Sequence, residues 1–125
     1  MKKILVVDDR PEVRELLRRT LAKGSYETFC ADNGADALTM ARERNPDLIL
    51  MDILMPGDLN GTETARMLKS DPQTKYSKIV ILSGRDEPEV MSEALEAGAD
   101  GYFTKPFSPL DLLRKIEELL VPAAL

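Results

Sequence analysis

Leu48-Ile49-Leu50-Met51-Asp52-Ile53-Leu54-Met55-Pro56 is an apolar run that contains one carboxylate and ends on a proline. Residues 48–51 show no alternation of apolar and polar side chains, the pattern of a strand covered on both faces. A Gly57-Asp58-Leu59-Asn60-Gly61 loop follows. Working outward, residues 4–7 form a second continuous apolar run, which stops at Asp8-Asp9. Lys78–Ser83 forms a third, ended by Gly84. Tyr26–Ala31 is a shorter and more polar strand of the kind found near a sheet edge. Tyr102-Phe103-Thr104 reads as the fifth strand, and Lys105-Pro106 follows it.

Helical patterns separate these strands. The first starts near Pro11, with Val13, Leu16, Leu17, Thr20 and Leu21 on one face, and Asp9 with Glu12 as its expected capping box. A small helix around Ala37, Leu38 and Ala41 ends before Asn45-Pro46. The third runs from about Thr62 to Lys69 with Ala65 and Leu68 inward, and the fourth from Glu89 to Ala97, closed by Gly98. The last has Ser108 as N-cap, Pro109 at the first position and Asp111 as the acidic third residue. Leu112, Leu113, Ile116, Leu119 and Leu120 supply its apolar face. Strands that alternate with helices and are buried on both faces predict an α/β fold with a parallel sheet between two helical layers.

At 125 residues the chain is the size of one domain and needs neither metal nor disulfide to hold a core. A net charge of −5 and the lack of any basic run argue against direct nucleic-acid or anionic-membrane binding. No apolar stretch is long enough for a membrane span and the start is not that of a signal peptide. The single cysteine, Cys30, reads as a small apolar strand residue and suits a reducing, cytoplasmic setting. Histidine is absent, which excludes histidine-based acid–base chemistry, histidine-ligated zinc and a phosphohistidine formed within this chain.

In open α/β sheets the site lies outside the carboxyl ends of the strands. Those ends carry Asp8-Asp9, Asp52, Ser83-Gly84 and Lys105. Taken singly, each has an ordinary reading: a helix-capping turn, a solvated strand end, a turn serine, a surface lysine. Together they place three carboxylates, a hydroxyl and an ammonium in one crevice. Two carboxylates about 5 Å apart repel by roughly 3 kcal/mol at an effective dielectric near 20, so three require protonation or a cation. Hard oxygen donors with room for water suit Mg²⁺. A divalent ion and a lysine beside a strand-end carboxylate are the apparatus of phosphoryl transfer, with Asp52 as nucleophile and Ser83 donating to a phosphate oxygen.

At these residues the sequence resembles the receiver domain of bacterial two-component response regulators, from Lys3 to about Leu120. The likeness rests on the 4–9 strand with its Asp-Asp end, Ala31-Asp32-Asn33-Gly34, residues 46–52, Met55-Pro56, Leu82-Ser83-Gly84 and residues 98–107. The resemblance implies a CheY-like, flavodoxin-like domain over residues 1–121, a single doubly wound sheet of five parallel strands in the order 2-1-3-4-5. Residues 122–125 would be a tail or the start of a linker. It implies Asp52 as the phosphorylated residue, with Asp9, Asp52 and the main-chain carbonyl of Leu54 as Mg²⁺ ligands and Asp8 acting through water. Lys105, which in the family usually precedes a cis proline, and Ser83 would complete the catalytic set. Ser83 and Tyr102 would form the switch pair, and Gly84 would leave the phosphoryl group accessible.

The implied partners are a histidine kinase or histidine phosphotransfer protein as donor, and a downstream protein or effector domain on the face of the fourth helix, fifth strand and fifth helix. Such a protein catalyses only its own phosphorylation and dephosphorylation. Three departures carry consequences. Gly61 lies nine residues beyond Asp52, where the family commonly has eight. The positions that tune dephosphorylation hold Leu54 and Arg85, and an apolar Leu54 cannot orient an attacking water. Met91 and Gly101 stand where winged-helix regulators pair charges across a dimer, which disfavours that phosphorylation-linked homodimer and leaves Asp100, Asp111, Arg114 and Lys115 for others. Two alternatives stand beside this reading. A degenerate receiver, acting as an interaction module, would have lost an acidic residue or the lysine. A Mg²⁺-dependent aspartyl phosphohydrolase of the haloacid-dehalogenase type wants Asp-x-Asp after its first strand, where Asp8 and Asp9 are adjacent.

Overall fold

The computed structural model describes residues 1–55, 57–84 and 87–121. Pro56, Arg85 and residues 122–125, named above, lie outside them. The elements alternate as β1 (Lys2–Val7), α1 (Pro11–Leu21), β2 (Tyr26–Ala31), α2 (Gly34–Arg44), β3 (Leu48–Asp52), α3 (Gly61–Ser70), β4 (Lys78–Ser83), α4 (Pro88–Glu96), β5 (Gly101–Thr104) and α5 (Pro109–Leu120). All strand pairs are parallel and the order is β2-β1-β3-β4-β5, so the polar strand does lie at an edge.

The continuous apolar runs are explained by two cores. Leu5, Val7, Ile49, Met51, Ile79 and Ile81 face one side, against Ala37, Ala41, Ala65, Leu68, Ala94 and Ala97 of the α2–α4 layer. Ile4, Val6, Leu48, Leu50, Val80 and Leu82 face the other, against Leu17, Leu21, Leu112 and Ile116 of α1 and α5. Successive side chains of a strand point to opposite faces, so a strand between two helical layers needs apolar residues at every position. Each fully buried Leu or Ile contributes about 2 kcal/mol relative to exposure. The alanines of the first layer let helices approach closely, whereas α1 and α5 meet the sheet through leucine and isoleucine.

Two details of α1 differ from expectation. The N-cap of α1 is Arg10, without a side-chain cap bond, so no Asp9–Glu12 capping box forms. Pro11 pre-sets the first helical turn one residue later than the box requires, and Asp9 is left for the cleft described below. Leu16, expected inward, is 49% exposed, because the buried stripe of α1 passes through Leu17, Thr20 and Leu21. Other signals hold. Ser108 accepts from the Asp111 N–H at 3.3 Å, and Asn45 ends α2 in the left-handed conformation. Gly98, at φ 108°, follows the α4 cap where an L side chain would be strained. Cys30 is a half-buried β2 residue packed against the α1/α5 core. No helix among the described residues is long and apolar enough to cross a membrane.

Candidate functional site

Parallel strands bring four carboxyl ends to one edge of the sheet. Asp8 directly follows β1 and Asp52 is the last residue of β3, with Val7 paired to Met51 between these neighbouring strands. The Asp8 N–H donates to the Ala31 carbonyl at 3.1 Å, which carries β1 pairing one residue beyond the strand. Ser83 ends β4 and is buried. The Lys105 N–H donates to the Ser83 carbonyl at 2.6 Å, so the lysine is tied to the end of β4 rather than left on a free loop. The Lys105–Pro106 bond is cis.

The Lys105 ammonium lies 3.1 Å from Asp8 Oδ2 and 3.1 Å from Asp52 Oδ2, bridging the two buried carboxylates. The other Asp52 oxygen, Oδ1, accepts from the Leu54 N–H at 3.1 Å. Asp9 is exposed on the rim, yet ligand oxygens of Asp8, Asp9 and Asp52 fall within 4.8 Å of one another. These are hard oxygen donors of the type that holds a small divalent cation. Burial pushes the Asp52 carboxyl above its ordinary value, and the hydrogen bond and charge of Lys105 pull the other way. Burial prevails, and Lys105 limits the rise.

The remaining expected residues are distributed around this cluster. Asp9, Asp52, Leu54, Gly84 and Lys105 line one cleft, together with Arg10. The Leu54 side chain points outward and is 63% exposed. A Cβ added to Gly84 would meet nothing within 4 Å, so the cleft is open on that side. Tyr102 is half-buried on β5 opposite Ile81 and against the α2–α4 core. Of the residues weighed for dimer pairing, Asp100 is engaged internally, with Lys69 at 3.1 Å and the Ile79 N–H at 2.8 Å. Arg114 and Asp111 face each other on the exposed surface of α5.

Arg10 is the residue that sequence reasoning missed. Its Nε lies 3.6 Å from Asp8 Oδ1 and its Nη2 3.5 Å from Asp52 Oδ2. The one available signal was its place directly after Asp-Asp, which puts an arginine at the strand-to-helix turn beside the acidic pair.

The loop after Asp52 is held by close backbone packing. The Ile53 N–H donates to Leu82 O at 3.3 Å and the Gly61 N–H to Ile53 O at 2.8 Å. α3 begins at Gly61, one residue before the expected start, with a complete capping box between Asn60 and Glu63. A Cβ on Gly61 would overlap the Asp52 carbonyl and the Ile53 Cα, both backbone atoms. Gly61→Ala is expected to cost about 3 kcal/mol, the upper end for overpacking, read as a lowered midpoint in urea unfolding. An unchanged midpoint would mean that the loop yields freely.

Residues 4–117 match the response regulator receiver domain family. The chain belongs to that family. Among curated relatives it is 40% identical over 119 residues to the phosphate regulon transcriptional regulatory protein PhoB of Pseudomonas aeruginosa, covering 95% of this chain and 52% of that protein. It is 37% identical over 120 residues to the protein PilH of the same organism, covering 96% of this chain and 98% of PilH. The receiver thus spans about half the length of several curated relatives it matches and nearly all of another. Its fold is that of the Vibrio cholerae chemotaxis response regulator CheY4, with TM-score 0.88, 33% identity, and 96% and 99% of the two chains covered. The receiver domain of the sensor histidine kinase PA1611 of Pseudomonas aeruginosa, solved with magnesium in its active-site cleft, aligns with TM-score 0.87 and 25% identity over 95% and 97% of the chains.

Proposed function

We propose that this receiver, residues 1–121, takes a phosphoryl group onto Asp52 from the phosphohistidine of a kinase or phosphotransfer protein in the cytoplasm. The observation that carries this reading is the Lys105 ammonium shared between Asp8 and Asp52, with Asp9 on the rim of the same cleft. An Asp52 carboxylate oxygen forms the new P–O bond as the P–N bond of the donor breaks. The imidazole nitrogen leaves with the electron pair and takes up a proton. Lys105 counters charge on the phosphoryl oxygens, and Ser83 donates to one of them. Asp9, Asp52 and the Leu54 carbonyl would hold Mg²⁺, with Asp8 acting through water; the ion, when bound, supplies positive charge to the transferring oxygens. The magnesium in the PA1611 receiver supports that assignment.

On this reading the signal leaves through Ser83 and Tyr102. Drawing Ser83 toward the phosphoryl group frees space that Tyr102 fills, and the surface of α4, β5 and α5 changes for a downstream protein or effector domain. The decisive experiment is incubation with acetyl phosphate and Mg²⁺ followed by intact mass. One added phosphoryl group is expected, and none in the presence of a chelator; no adduct under either condition overturns the proposal.

The lifetime of the adduct follows from Leu54. An apolar side chain two residues beyond the acceptor offers no hydrogen bond to an attacking water. The phosphorylated state is therefore expected to persist for minutes or longer after the donor is removed, followed by mass or phosphate-affinity gel. Loss within seconds would contradict this, and Leu54→Asn is expected to hasten the decay.

A further inference from the structure

We infer that Arg10 is a phosphoryl clamp that sits on the carboxylates at rest, competes there with the divalent cation, and transfers its guanidinium to the phosphoryl oxygens once Asp52 is modified. The inference rests on the receiver reading above and concerns a residue which that reading leaves without a role. Arg10 stands at a turn where a long side chain is free to extend into water, yet it folds back over the cleft. Its Nε and Nη2 lie 3.6 Å from Asp8 Oδ1 and 3.5 Å from Asp52 Oδ2, and among the described residues its ion pairs are with these two carboxylates. The main chain fixes its base: the Arg10 N–H donates to Asp8 Oδ1 at 2.9 Å. The Arg14 guanidinium holds the Asp8 carbonyl at 2.8 Å from the next turn of α1. The side chain remains 49% exposed, so it can move without unpacking a core.

Charge balance decides where it goes. Asp8, Asp9 and Asp52 bring three negative charges to the cleft against two positive ones from Lys105 and Arg10. A bound dication reverses that balance to one positive, and Arg10 becomes the surplus cation, repelled from its own partners. Converting Asp52 to an aspartyl phosphate adds about one further negative charge and restores neutrality with Arg10 in place. The guanidinium fork matches two phosphoryl oxygens, a geometry that an ammonium cannot reproduce. Arg10 therefore opposes metal binding before phosphorylation and favours the loaded site after it.

The test is isothermal titration of the wild type, Arg10→Gln and Arg10→Lys with Mg²⁺ alone, and then with beryllofluoride as phosphoryl mimic at saturating Mg²⁺. Thermal melts confirm that each variant is folded. For Arg10→Gln, Mg²⁺ is expected to bind about fivefold tighter, from loss of a competing charge. Beryllofluoride is expected to bind about tenfold weaker, from loss of a charge-assisted contact. Arg10→Lys should stay near wild type for Mg²⁺ and fall between the two for beryllofluoride. A purely structural role would not move the two affinities in opposite directions. Unchanged or weaker Mg²⁺ binding, or unchanged beryllofluoride binding, in Arg10→Gln overturns the clamp. A wild type that binds neither probe overturns the receiver reading and the clamp with it.

Discussion

Asp52→Asn is expected to abolish the phosphate adduct formed with acetyl phosphate and Mg²⁺, because the amide offers no nucleophilic oxygen anion. An adduct of undiminished yield on the variant would place the acceptor elsewhere and remove the basis of the proposed function. The same substitution should act oppositely on stability. Burial raises the Asp52 carboxyl in the folded chain above the ordinary 3.8, so folding is opposed by its ionised form. The cost is absent below 3.8, where both folded and unfolded chains are protonated, and develops as pH rises through the higher folded value. In a chelator, Asp52→Asn should therefore melt above the wild type at neutral pH, and the gap should close as pH falls toward 4. Each kcal/mol recovered corresponds to a shift of about 4 °C for a domain of this size. A variant that melts lower at neutral pH would show that Lys105 more than offsets the burial.

The second large effect is expected at Lys105. Lys105→Met retains the aliphatic stem and removes the ammonium bonded to both Asp8 and Asp52. Removing a pre-positioned charge donor typically lowers a rate by about 10² to 10³. Phosphorylation by acetyl phosphate at saturating Mg²⁺ should slow by that order, followed by quenched-flow mass analysis. A loss below about threefold would mean that Arg10 or the metal supplies the charge unaided. Because Asp8 and Asp52 are both buried, the metal-free variant should also lose stability, as the half-exposed Arg10 guanidinium compensates the carboxylate pair less well than the bridging ammonium does.

The sheet was readable because burial on both faces leaves a one-dimensional mark. Residues 4–7 and 48–51 have no polar position, and the packing shows why: odd and even residues enter different cores. The strand-end residues were readable for a related reason, since parallel order converts four separated positions into neighbours. Arg10 was not. Nothing local distinguishes an arginine that turns back over a cleft from one that extends into water; the outcome depends on Asp52, forty-two residues away. Leu16 and the start of α1 misled for a smaller reason. Val13, Leu16 and Leu17 are all compatible with a helical stripe, and the stripe's centre is set by where α1 crosses the sheet. Asp9 fits a capping box in sequence, but Pro11 moves the helix start past it.

The bridge from Lys105 to Asp8 joins residues 97 apart in the chain, and β5 is the last strand to be made. A chain still emerging from the ribosome carries Asp8 and Asp52 before it carries the ammonium that bridges them. On the proposed function, the rate of phosphorylation should therefore rise steeply as the sheet is completed. If the proposal holds, the charge cluster would act as a checksum on folding, since a chain that has not closed its last strand would respond weakly to a phosphoryl donor.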